Sequence, residues 1–115
     1  MTFSNRFLGF KRINNIMNIK TFQKEVEDLF NKISKKRGEK HTEEEIFIHL
    51  IEEIGEIARQ LTNKKLRKEK FDPKNLEEEI SDSILFLTYL ASLYKIDLEK
   101  SLKKDIEKLK TRFEI

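Results

Sequence analysis

Cysteine is absent from the 115 residues, and its absence excludes disulfides, thiol nucleophiles and cysteine-ligated zinc. A thiol-free chain suits a reducing compartment, so the cytoplasm is the expected location. Tryptophan is absent too, proline occurs once (Pro73) and glycine three times, which leaves little to interrupt helices. No apolar run approaches the roughly 18 residues that span a bilayer. A soluble protein without a membrane partner is expected. Charge of a single sign is also missing, since 24 basic residues against 21 acidic ones leave a net charge of only +3. Nucleic-acid-coating proteins concentrate positive charge on one face, so no nucleic-acid partner is expected. Hydrophobic residues make up 37% of the chain and charged residues 39%. So lean a core suits amphipathic helices that finish burying their apolar faces in an oligomer.

The length suits one domain at the small end of the range. Residues 1–17 contain no acid, the first carboxylate of the chain being Glu25, and they lack the apolar core of a secretory signal. They read as a flexible tail ahead of a helical domain over 18–115. Four helices are expected there. The first carries Phe22, Val26, Leu29, Phe30 and Ile33 at the spacing of one helical face and ends near Gly38, a left-handed cap. The second starts at Thr42, which forms a capping box with Glu45, and carries an apolar stripe of Phe47, Leu50, Ile51, Ile54, Ile57, Ala58 and Leu61. A basic connector, 64–74, leads to a third helix expected to start near Asn75, with Glu78 completing a second capping box, and to end near Tyr94. Asp97 opens the fourth, with Leu98, Leu102, Ile106, Leu109 and Phe113 on one face. No strand pattern competes. The expected fold is all-α, a four-helix arrangement with short connections.

Acids cluster on the second and third helices. Glu53 with Glu56, and Glu79 with Asp82, have the i, i+3 spacing that brings two carboxylates to one side, one turn apart. Two facing helices so equipped make an all-oxygen cage of the kind that hard cations such as Mg²⁺ or Mn²⁺ select. The bland alternative is a solvated face, and Glu25–Asp28 and Glu69–Asp72 repeat the spacing by chance. Helical projection separates the cases. Lys32 and Lys36 continue the sector of Glu25 and Asp28, a solvent face, whereas Phe86, Leu90 and Leu93 continue that of Glu79 and Asp82. The sector of Glu53 and Glu56 also holds His49 and Gln60. The second half of the third helix, SILFLTYLASLY, is apolar nearly all round, like a central or interfacial helix. Carboxylates buried beside it are costly unless a cation compensates.

IEEIGEIARQL followed by LEEEISDSILFLTYLA resembles the all-α nucleotide pyrophosphohydrolases of the MazG type. Their motif, Glu-Glu-x-x-Glu, a connector, then Glu-x-x-Asp and an apolar helix, reads here as Glu52-Glu53-Ile54-Gly55-Glu56, a 22-residue gap, and Glu79-Ile80-Ser81-Asp82. The resemblance covers roughly residues 20 to 113. It implies an enzyme that cleaves nucleoside triphosphates between the α and β phosphates, giving a monophosphate and pyrophosphate. It also implies Mg²⁺ (or Mn²⁺) at Glu53, Glu56, Glu79 and Asp82, with Glu52 a nearby acid, and Glu53 is the carboxylate chosen to accept a proton from water. Lys104, Lys108 and Arg112, at i, i+4, i+8 on the fourth helix, stand where such proteins place phosphate-contacting cations. His49 occupies a position where relatives often carry lysine. With no tryptophan, base stacking falls to Phe47, Phe71, Phe86 or Tyr89.

Rival readings remain within and outside this class. A phosphoribosyl-ATP pyrophosphohydrolase or a dUTPase-like enzyme would use a similar cage. A di-iron bundle needs Glu-x-x-His pairs, and neither His41 nor His49 has a Glu three residues before it. A helical interaction module without catalysis would carry the same acids and lysines as ordinary surface. Four short helices cannot cover every apolar face of the third, so a homodimer or homotetramer is expected, its symmetric interface built partly from the second and third helices.

Overall fold

A computed structural model of the chain describes residues 17–115; the expectation for residues 1–16 lies outside them. Four helices follow one another: α1 (Ile19–Arg37), α2 (Glu43–Leu66), α3 (Pro73–Leu93) and α4 (Leu98–Phe113). Local chemistry sets most of their ends. Asn18 caps α1, its side chain accepting from the Thr21 N–H at 2.8 Å, and Gly38 closes it at φ 82°, a conformation that costs glycine little. Thr42 and Glu45 form the expected capping box of α2. Glu45 also receives both guanidinium nitrogens of Arg37, at 2.8 and 2.9 Å, which ties the end of α1 to the start of α2. Asp97 caps α4 by accepting from the Lys100 N–H.

Two sequence expectations need correction. α3 begins two residues before Asn75: Asp72 is the cap, accepting from the N–H groups of Lys74 and Asn75, and Pro73 takes the first helical position. Proline suits that position because its missing N–H would have no helical partner there. Asn75 and Glu78 are therefore inside the helix. The apolar stripe assigned to α2 is also only partly internal. Ile46 and Leu50 are buried, whereas Phe47, Ile51, Ile54 and Leu61 are about half exposed.

α2 and α3 form an antiparallel hairpin around a short 3-10 turn, Lys68–Lys70. Its direction shows in the pairs that meet across it, Gln60 with Asn75 near the turn and His49 with Phe86 further away. α1 packs on α3, where Gln23 reaches Ser92 and the Ile96 carbonyl. α4 packs on α1, where the Lys20 N–H donates to Glu99. The core is small. Val26, Phe30, Ile46 and Tyr89 are buried together, flanked by Phe22, Leu85, Phe86 and Leu90. Phe30 stacks on Tyr89 with ring centres 4.4 Å apart. Among the described residues, no helix is long and apolar enough to cross a membrane.

Candidate metal centre

The inner side of the hairpin turns polar beyond this core. Glu53 of α2 and Glu79 and Asp82 of α3 each bring a carboxylate oxygen to within 4.8 Å of the others. The antiparallel pairing makes the meeting possible, because Glu53 lies between His49 and Gln60 on the strip of α2 that faces α3. Glu53 and Glu79 are partly buried and Asp82 is exposed, so the cluster opens to solvent on one side. Three like charges at this separation repel. The Glu53 carboxyl is pushed up to about 7, first by the hydrogen bond its protonated form makes with Glu79, then by burial, then by the charges of Glu79, Asp82 and Glu52.

Two neighbours, Gln60 and Asn75, steady Glu79. The Gln60 amide donates to Asn75 Oδ1 at 2.9 Å while its carbonyl accepts from the Asp72 N–H at 2.8 Å. Asn75 Nδ2 in turn lies 3.5 Å from Glu79 Oε1. Gln60 is buried, and this chain of amides runs from the capped start of α3 to Glu79. Reading the sequence missed the role of Asn75 and Gln60. The available signal was that Gln60 shares the Glu53 sector of α2, with Asn75 one turn before Glu79.

The remaining candidates stand apart from the three-carboxylate group. Glu56, one turn beyond Glu53, forms an ion pair with Arg59. His49 stacks on Phe86, with ring centres 5.6 Å apart, and its Nδ1 lies 3.2 Å from Glu52. Lys104, Lys108 and Arg112 are exposed on α4, a helix that packs on α1, and Lys108 pairs with Asp105 at 3.1 Å. Among the described residues no ion pair joins these three cations to the carboxylates. Of the aromatics considered for stacking a base, Tyr89 is withdrawn: it is buried against Phe30. Phe86 is partly buried beside His49, Phe71 lies under Lys64, and Phe47 is exposed.

The donor set fits a hard divalent cation. It is all oxygen and anionic, and three carboxylate oxygens within 4.8 Å of one another favour a cation between them. An all-α hairpin whose two helices face each other with acids is the arrangement of a carboxylate-bearing helical domain. The chain belongs to the MazG nucleotide pyrophosphohydrolase domain family, which it matches over residues 41–114. The match spans α2, α3 and α4. The chain is also similar to the "Uncharacterized protein YpjD" of Bacillus subtilis (strain 168), with 38% identity over 66 residues. That stretch is 55% of this chain and 60% of the relative, so the likeness stops short of either whole protein. No solved structure gives a significant match.

Proposed function

We propose that this protein is a Mg²⁺-dependent pyrophosphohydrolase that converts nucleoside triphosphates to nucleoside monophosphates and pyrophosphate. The observation that carries the reading is the meeting of Glu53, Glu79 and Asp82 across the hairpin of a MazG-family domain. These three would hold the metal, and Glu56, one turn beyond Glu53, would be the fourth carboxylate to join them. Mn²⁺ fits the same oxygen set. When bound, the cation neutralises phosphate charge and acidifies a water.

The chain's own side chains do the rest. Glu53, taking less than a full share of the metal, accepts the proton of the attacking water. Its partner Glu79 is kept in place by Asn75 and Gln60, so the acceptor and its neighbour keep their spacing while the proton moves. Lys104, Lys108 and Arg112 supply cations for the phosphates, and His49 adds a further contact. A cytoplasmic location suits both a thiol-free chain and a nucleotide substrate.

The test is product identity. Purified protein is incubated with Mg²⁺ and a panel of nucleoside triphosphates, and the products are resolved by ion exchange. Monophosphate and pyrophosphate in equal amounts, lost on adding a chelator, are expected. Release of orthophosphate with a diphosphate would overturn the assigned bond, and no turnover of any triphosphate would overturn the function.

A further inference from the structure

We infer that His41 is an acid-sensitive latch: neutral, it fastens the connector 38–42 onto α1 and α3, and protonated, it lets the connector leave the core. The ring sits at a steep angle to two aromatic neighbours, Phe30 of α1 with ring centres 5.4 Å apart and Tyr89 of α3 at 6.0 Å. Its side chain is only 9% exposed, and Nε2 is buried without a hydrogen-bond partner. Nδ1 lies 3.8 Å from Glu45 Oε1, too far for a hydrogen bond. A neutral imidazole tolerates this place, because one of its nitrogens is a bare acceptor that costs less to leave unpaired than a charged donor. An imidazolium carries an N–H on both nitrogens, and here neither has an acceptor within reach.

The charges around the ring oppose a second positive one. Arg37 of α1 is a nearby cation, and Lys35 of α1 and Lys40 of the connector line the same cavity as His41. His49 of α2 adds to the repulsion when protonated. Tyr89 of α3 is a neutral phenol, its ionisation pushed up by burial. The acids are Glu39 of the connector and Glu45 of α2, and Arg37 engages both. It lies 3.7 Å from Glu39 and donates to both oxygens of Glu45 at 2.8 and 2.9 Å. An imidazolium at position 41 therefore gains a counter-charge only by taking Glu45 from Arg37, which undoes the tie between α1 and α2, or by moving into water. Burial first, then Arg37, holds the His41 pKa below the ordinary 6.5, with Glu45 opposing.

Room for the movement is present. His41 lines an open cavity of about 690 Å³ with Asn31, Ser34, Tyr89 and Leu93, which gives the ring space to turn outward. Gly38, at φ 82°, supplies a hinge at the start of the connector. Linkage sets the direction of the response. With a pKa lowered in the closed state, the opened state binds the proton more tightly. The stabilisation is therefore whole above 6.5, declines as pH falls below it, and is gone below the closed-state value. The latch uses none of the carboxylates of the metal centre, so it stands or falls separately from the proposed reaction.

The full chain has two histidines, so proton NMR resolves both ring signals and His41→Phe assigns them. His41 is expected to titrate below 6.5. Hydrogen exchange reads the latch itself. From pH 7.5 to pH 5, protection factors for the amides of residues 38–46, corrected for the intrinsic pH dependence of exchange, are expected to fall about tenfold. One proton taken up by the open form at an ordinary 6.5 sets a ceiling of about thirtyfold. The fall should be absent in His41→Phe, which keeps a ring in place and does not titrate, and in His41→Gln, a neutral side chain of different shape. Protection in the hairpin near Gln60 and Asn75 should not fall. A His41 pKa at or above 6.5, a fall that persists in both variants, or an equal loss throughout the hairpin would each overturn the inference.

Discussion

Replacing Glu79 by glutamine keeps the shape of the carboxylate cluster and removes one of its charges. At the 4.8 Å that bounds the separations in the cluster, one fully ionised pair costs about 3.5 kcal/mol at an effective dielectric of ~20. The protonation of Glu53 gives a second estimate. Raising its carboxyl from 4.5 to about 7 corresponds to roughly 3 kcal/mol of penalty on the ionised form. That penalty also contains the hydrogen bond to Glu79, burial and the charges of Asp82 and Glu52, and partial exposure to water reduces both figures. Glu79→Gln is therefore expected to stabilise the metal-free protein by about 1–2 kcal/mol at pH 8, read as a rise in melting temperature of about 5 °C or more. The sign follows from linkage. A carboxyl whose folded pKa is raised binds its proton more tightly in the folded state, so stability falls as pH climbs from 4.5 to 7 and the penalty is complete above 7. The advantage of the variant should thus be present at pH 8 and vanish near pH 4, where Glu53 is protonated in folded and unfolded chains alike. Mg²⁺ at a hundred times its dissociation constant should add about 2.7 kcal/mol to the wild type by mass action, and much less to the variant. Glu25→Gln and Glu69→Gln, at exposed positions away from the cluster, should behave as wild type. A Glu79→Gln protein no more stable than the wild type at pH 8, with its Mg²⁺ response intact, would refute the idea that these carboxylates form one charged site.

Two further outcomes test other parts of the molecule. Lys108→Glu and Arg112→Glu, both at exposed positions on α4, should raise KM for a triphosphate by about tenfold with little change in melting temperature; an unchanged KM in steady-state assays would remove the α4 cations from the substrate site. Arg37→Ala should lower the urea midpoint at pH 7 but not at pH 2. Arg37 holds the Glu45 carboxyl down to about 2, so that contribution is present above the ordinary value of 4.5 and is lost as pH falls through 2.

The helix ends set by short-range chemistry were legible in the sequence. Thr42 with Glu45, Gly38 and Asp97 act within a turn of where they sit, and each caps the helix expected of it. The start of α3 misled because Asn75 and Glu78 imitate a capping box while the stronger combination, Asp72 followed by proline, lies just upstream. Periodicity was weakest where both sides of a helix are apolar. Ile46 and Leu50 lie on one strip of α2, Phe47 and Ile51 on the next, and a count of apolar residues cannot say which strip faces the protomer. The structure decides it through the partner: the strip that carries Glu53 and Gln60 is the one that meets α3.

The same distinction governs the candidate site. Glu53, Glu79 and Asp82 were identifiable because a helix fixes i, i+3 neighbours locally and because Phe86 and Leu90 showed which side of α3 turns inward. Glu56 followed the same spacing yet stands with Arg59, since a salt bridge one turn away competes for its carboxylate. That competition is weak at a partly exposed site, so spacing names the residue but not the direction it faces. The α4 cations are a different kind of problem. Their i, i+4, i+8 repeat says only that they share a face. Where that face lies depends on α4 leaving Asp97 to pack on α1 rather than on the hairpin, a choice made by Glu99 and Leu98 meeting Lys20 and Gln23 some 75–79 residues away in the chain. No local pattern encodes such a contact. The KM of Lys108→Glu therefore tests the α4 face separately from the carboxylates.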